Sequence, residues 1–187
     1  MTRPLRVFLI AGEASGDRLG APLIRALREE AGREVELMGV GGELMEAEGL
    51  RSLFPATDLA VMGIAEVLPK LPLILRRIRE TGAALTEARP DLLITIDSPG
   101  FGLRVARKAR KALPGTVMTH YVAPSVWAWK PGRAKEMATY VDHVLALLPF
   151  EPPYMTEAGM TCDFVGHPAA RLPVPDADAC AAFRAEI

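Results

Sequence analysis

The chain has 187 residues, 50% of them hydrophobic and 24% charged, with a formal net charge of −1. That is enough for one well-buried domain, or one domain and the start of another, and it gives no support to a general affinity for polyanions such as nucleic acid. Cys162 and Cys180 are too few and too far apart for a disulfide framework or a zinc knuckle, and no apolar run reaches the roughly 18 residues of a membrane span. The first six residues run straight into a strand-like segment with no signal-peptide pattern, so a soluble or peripherally bound cytoplasmic protein is expected.

In chain order, residues 7–11 predict a buried strand, followed by a glycine-containing turn and a helix over 18–30. Residues 35–40 predict the next strand, then Gly41-Gly42 and a short helix; 53–61 is a weaker strand or a loop. A long helix is expected over 66–88, disturbed early by Pro69 and Pro72. Strands at 92–96, 117–122, 144–148 and 162–165 then alternate with helices at 103–113, 132–140 and 153–158. Short apolar strands alternating with helices predict an α/β, Rossmann-like, doubly wound and mostly parallel sheet, with ligands at the carboxyl ends of its strands. Pro168, Pro173 and Pro175 mark a linker, and Asp176-Ala177-Asp178 looks like a helix start. The expected organisation is therefore a Rossmann-like domain over 1–168, with 169–187 as linker and the beginning of a second domain.

Four segments have the residue types for chemistry. AGEASGD at 11–17 follows the first strand; its small residues (Gly12, Gly16) allow close backbone approach, and free amides at the following helix suit an anion. It lacks the GxGxxG spacing, and the Glu13 carboxylate would repel a pyrophosphate, so a hydroxyl-bearing sugar fits better. Ser15 or Asp17 could equally cap the helix. IDSPGF at 96–101 places Asp97 directly off a buried strand, where a carboxylate can serve as a general base or cap the next helix. In HYVAPSVWAW at 120–129, Trp127 and Trp129 offer apolar faces to a sugar or acyl chain, or pack in the core, and His120 reads as a structural histidine. FVGHP at 164–168 places His167 in an interdomain cleft or a hinge. No metal-ligand spacing is present, and neither metal nor cofactor is expected.

Along the long helix, Val67, Leu68, Leu71, Ile74 and Leu75 recur at helical spacing, with Lys70, Arg76, Arg77 and Arg79 beside them. That is an apolar stripe for the sheet or, flanked by cations, for an anionic lipid surface.

These segments, with GVGG at 39–42, MGIAEV at 62–67 and LPFE at 148–151, occur in an order that closely resembles the lipid-A-disaccharide synthases. The resemblance implies a GT-B glycosyltransferase with two Rossmann-like halves, of which this chain is similar to the first, acceptor-binding half and would be inactive alone. It implies transfer of a diacylated glucosamine from its UDP donor to the 6-hydroxyl of an acylated glucosamine 1-phosphate, with inversion. Asp97 would be the base, and Glu13 an orienter or alternative base. Gly12, Ser15, Gly16, Ser98, Ser125, Trp127 and His167 would contact substrate. The stripe would then face the inner membrane; a homodimer stays open. Gly100 and Gly102 depart from the acidic residue and Asn usual in the family, and Ala123 from its common Ser. The rival readings are a non-catalytic nucleotide-binding module of flavodoxin or receiver type, and another GT-B enzyme acting on soluble sugars.

Overall fold

The computed structural model describes residues 3–59 and 64–186, apart from the side chains of 64–68, 171, 179 and 186. Six parallel strands form one sheet in the order β2-β1-β3-β4-β5-β6: β1 Leu5–Ala11, β2 Val35–Val40, β3 Leu92–Ile96, β4 Val117–Tyr121, β5 His143–Ala146 and β6 Thr161–Phe164. Ser52, just before the segment expected as a weak strand or loop, makes a single parallel bridge to Gly39 of β2, and the described part of that segment holds a short 3-10 turn at Ala56–Asp58. Strand order reverses between β1 and β3. This is the switch point at which doubly wound sheets open a crevice beyond their strand ends.

The period-two alternation of a strand explains the two layers. Val7, Leu9 and Ala11 pack with Ile94 and Ile96 beneath α1 (Ala14–Glu30) and α2 (Glu43–Ala47). Phe8, Ile10 and Leu93 turn to the other face, where Ile78 and Leu85 of α3 (Ile64–Ala88) and Leu103 and Val105 of α4 (Gly102–Ala109) cover them. The same core takes in Met137 of α5 (Gly132–Met137) and Met155 of α6 (Pro152–Thr156). A last helix, α7 (Ala177–Glu186), follows a 3-10 turn at Pro168–Arg171. Gly39 has φ +140°, and a Cβ there would run into the Leu9 carbonyl oxygen, so the β1–β2 pairing requires glycine.

Helix α1 starts earlier than expected, because Glu13 is its N-cap residue, without a side-chain cap bond. Neither Ser15 nor Asp17 caps it. The buried Asp17 carboxylate instead reaches across to the start of α2 and accepts from the backbone N–H groups of Gly42 (3.0 Å), Leu44 (3.1 Å) and Met45 (3.0 Å). This ties AGEASGD to GVGG. Asp17→Ala leaves those donors unsatisfied and is expected to cost about 2–3 kcal/mol, read by urea unfolding.

Candidate functional site

The carboxyl ends of β1, β3 and β4 converge at the switch point. Beyond β3 the chain turns through two residues in the left-handed region, Asp97 (φ +50°) and Ser98 (φ +40°), and beyond β4 through Val122 (φ +81°). Asp tolerates this region, but a β-branched valine does not, and such backbone costs about 1–3 kcal/mol per residue. The turns are held by ladder bonds that continue past the strands: Asp97 N–H to the Tyr121 carbonyl (2.9 Å) and Val122 N–H to the Leu145 carbonyl (3.0 Å). The Asp97 carboxylate is thereby aimed out of the sheet edge, and Ser15 Oγ in α1 donates to its Oδ2 at 2.8 Å. Gly12 and Gly16 make this juxtaposition possible. A Cβ on Gly12 would lie 2.8 Å from Ser98 Oγ, and one on Gly16 3.1 Å from the Ile96 carbonyl oxygen.

On one side of Asp97 is a cleft of about 310 Å³ lined by His120, Val122, Ser125, Trp129 and Arg133. His120 is 1% exposed and its Nδ1 lies 2.8 Å from Thr95 Oγ1. Burial pushes the imidazole down to about 4, offset only in part by the Asp97 charge. Unfolded, this histidine titrates near 6.5, so between pH 6.5 and about 4 the unfolded chain takes up a proton that the folded chain refuses. Its contribution to stability is present above pH 6.5 and is lost as the pH falls through that window, by about 3 kcal/mol in all. Between pH 7 and pH 4, urea unfolding should show a loss of stability about 3 kcal/mol smaller in His120→Gln than in the wild type.

On the other side, Glu13 is exposed and lines two further cavities. One, about 280 Å³, is shared with Leu59, Leu71, Ile74, Ser98, Phe101 and Arg104; the other, about 790 Å³, runs over the start of α2 towards Phe54. Glu13 and Asp97 thus follow neighbouring strands at one sheet edge and flank Ser98. Past β4 and β5, Trp127 and Phe150 meet edge-to-face at 5.3 Å, both about half exposed, and Trp129 is 66% exposed beneath Lys130. The tryptophans are therefore not core. Glu151 of LPFE is buried and accepts from the Leu148 N–H at 2.9 Å, so that motif fixes the turn carrying Phe150.

The structure bears on four expectations. Gly16 is buried against Ile96 and Ala11, so its small size serves helix–sheet packing. His167 fits the hinge alternative: its Nδ1 accepts from the Ala169 N–H at 3.0 Å and caps the turn Pro168–Arg171. On α3, Ile74 packs against the core. Arg77 folds inward, pairing with Asp58 (2.5 Å) and Glu80 (2.6 Å) over the Phe54 ring, and does not flank a free stripe. Leu71 (37%) and Leu75 (41%) are exposed, as are Lys70, Arg76 and Arg79. Val67 and Leu68, and Met62 and Gly63 of MGIAEV, lie outside the described side chains or residues. The Thr95–His120 pair was missed, since a histidine within an apolar strand reads as core. The available signal was two polar residues two positions short of Asp97 and Val122 in otherwise buried strands.

A family profile described as lipid-A-disaccharide synthetase matches residues 7–182. The chain is 56% identical over 185 residues to the lipid-A-disaccharide synthase of Ruegeria pomeroyi, covering 99% of this chain and 46% of that protein. It is 54% identical over 166 residues to that of Rhodospirillum centenum, covering 89% and 41%. The chain therefore spans less than half the length of these relatives. Among solved structures, a putative UDP-N-acetylglucosamine 2-epimerase from Listeria monocytogenes superimposes with TM-score 0.61 at 13% identity, covering 86% of this chain and 44% of that one. The lipopolysaccharide outer core galactosyltransferase WaaB does so with TM-score 0.54 at 16% identity, covering 92% and 49%. At such identities the likeness shows the fold.

Proposed function

The chain belongs to the lipid-A-disaccharide synthase family, and from that premise we propose that it forms the acceptor-side part of an inverting glycosyltransferase. The substrates are a UDP-linked diacylglucosamine donor and a diacylglucosamine 1-phosphate acceptor. The observation that carries the reading is Asp97: a carboxylate presented by strained backbone at the switch point, steadied by the Ser15 hydroxyl and open to a cleft of sugar size.

In the proposed step, Asp97 takes the proton of the acceptor 6-hydroxyl as its oxygen attacks the anomeric carbon of the donor. The bond from that carbon to the UDP oxygen breaks, and its electron pair leaves with UDP. A single in-line displacement turns an α-linked donor into a β-linked product. Ser15 keeps one carboxylate oxygen engaged and leaves the other for the hydroxyl. Glu13 and Ser98, around the 280 Å³ cavity, orient the acceptor sugar, and Ser125 lines the cleft on the other side of Asp97, with Trp127 exposed beyond it as an apolar face for the substrate. Stabilisation of the departing UDP is assigned to the part of the relatives' length that this chain does not span. No helix of the described residues is long and apolar enough to cross a membrane. We propose peripheral contact with the inner membrane through the exposed part of the α3 stripe.

The reading is tested by incubating a protein of the relatives' full length with both lipids. The expected products are UDP and a disaccharide 1-phosphate whose anomeric coupling is that of a β linkage. An α linkage overturns inversion, and epimerised UDP-sugar formed without acceptor overturns the transferase. The 187-residue chain alone is expected to give no disaccharide in the same assay.

A further inference from the structure

The buried Thr95–His120 pair plays no part in the transfer step above. The two residues are register partners across β3 and β4, and each follows by two positions a side chain (Leu93, Met118) of the core on the α3–α4 face. Thr95 Oγ1 lies 2.8 Å from His120 Nδ1 but 3.4 Å from the Thr119 carbonyl oxygen. The first is a normal hydroxyl hydrogen-bond length and the second lies at its limit; with the Thr95 hydroxyl donating to Nδ1, the imidazole carries its own proton on Nε2. Among the described residues no group bonds Nε2, yet no buried side-chain nitrogen or oxygen lacks a partner. Nε2 is therefore the small accessible part of this side chain, and it opens into the cleft shared with Asp97 and Arg133.

We infer that His120 is a ligand-contacting residue whose Nε2–H donates to an oxygen of the sugar or sugar phosphate bound beside Asp97. A neutral donor suits this position. It adds an oriented hydrogen bond without pairing off the carboxylate charge, whereas an imidazolium would hold Asp97 as an ion pair and leave it a poorer base. Burial keeps the imidazole in the neutral form at neutral pH. Thr95 is the positioning residue, fixing ring orientation and tautomer from behind. The inference rests on the transferase reading only for the identity of the ligand.

The test uses the isotopically labelled 187-residue chain. Long-range proton–nitrogen spectra should show His120 as the Nε2–H tautomer at pH 7, and glucosamine 1-phosphate should move that resonance. His120→Asn puts its amide near Nδ1, keeping the Thr95 contact but withdrawing from the cleft; His120→Gln reaches the Nε2 position. The expected Kd for glucosamine 1-phosphate is about tenfold weaker in His120→Asn and within about threefold of wild type in His120→Gln, the effect of one hydrogen bond. The reverse order, with Asn near wild type, marks a structural histidine and overturns the inference. Movement of the Nε2 resonance with UDP but not with glucosamine 1-phosphate supports the donor role while overturning the acceptor assignment. A resonance unmoved by either probe in the wild-type chain overturns the inference even if both variants fail to fold.

Discussion

In a transferase of the relatives' length, Asp97→Asn is expected to lower kcat by about 10²–10⁴-fold, with a much smaller change in KM. Asparagine keeps the size of the side chain, still accepts from Ser15 Oγ through its carbonyl, and tolerates the φ of +50° almost as well as aspartate. What it cannot do is take the proton of the attacking hydroxyl. The substitution therefore separates chemistry from shape, which Asp97→Ala would not. Ser15→Ala should cost less, several-fold, since it removes one orienting bond and leaves the base. A steady-state assay under saturating acceptor checks both. If Asp97→Asn loses less than about threefold, Asp97 is not the base, and Glu13, which flanks the same Ser98, becomes the group to replace.

The sheet was legible in the sequence because strands buried on both faces leave a plain record. Leu92-Leu93-Ile94-Thr95-Ile96 is apolar at four of five positions, and its bounds coincide with β3. The start of α1 was not legible for a physical reason. Ser15 and Asp17 look like caps by residue type, but their side chains bond partners 82 and 25–28 residues away, and no local pattern encodes such partners. His120 hid in the same way, its Nδ1 paired with Thr95 of the neighbouring strand. Periodicity identified α3 as amphipathic but could not divide its apolar residues between core and surface. Leu71 and Leu75 are four apart and so are Ile74 and Ile78, so both sets fit a helical stripe; only packing against Phe101 and the sheet decides that the isoleucines go inward.

That division makes the membrane contact testable without confusing it with folding. Leu71 and Leu75 are each about two-fifths exposed, so moving their remaining apolar surface into a lipid interface is worth about 1 kcal/mol apiece. Arg76 and Arg79 are exposed on the same helix, and each adds about 1 kcal/mol near an anionic surface. Replacing all four by serine should therefore weaken partitioning onto phosphatidylglycerol-containing vesicles by roughly 10²–10³-fold. The leucine pair alone should account for about half of that free energy, at any salt concentration. The arginine pair should account for the rest, but only at low salt and only with anionic lipid. Stability should change little, because none of the four is in the core. Ile78→Ser is the control on the inward face: 1% exposed, it should cost about 2–5 kcal/mol in urea unfolding through cavity and lost burial. Arg77 is left untouched, because its bond to Asp58 and its place over the Phe54 ring hold α3 against the preceding turn. A fourfold serine variant that melts far below the wild type shows that this face is core after all. One that stays folded and still floats with anionic vesicles moves the lipid contact to another part of the protein.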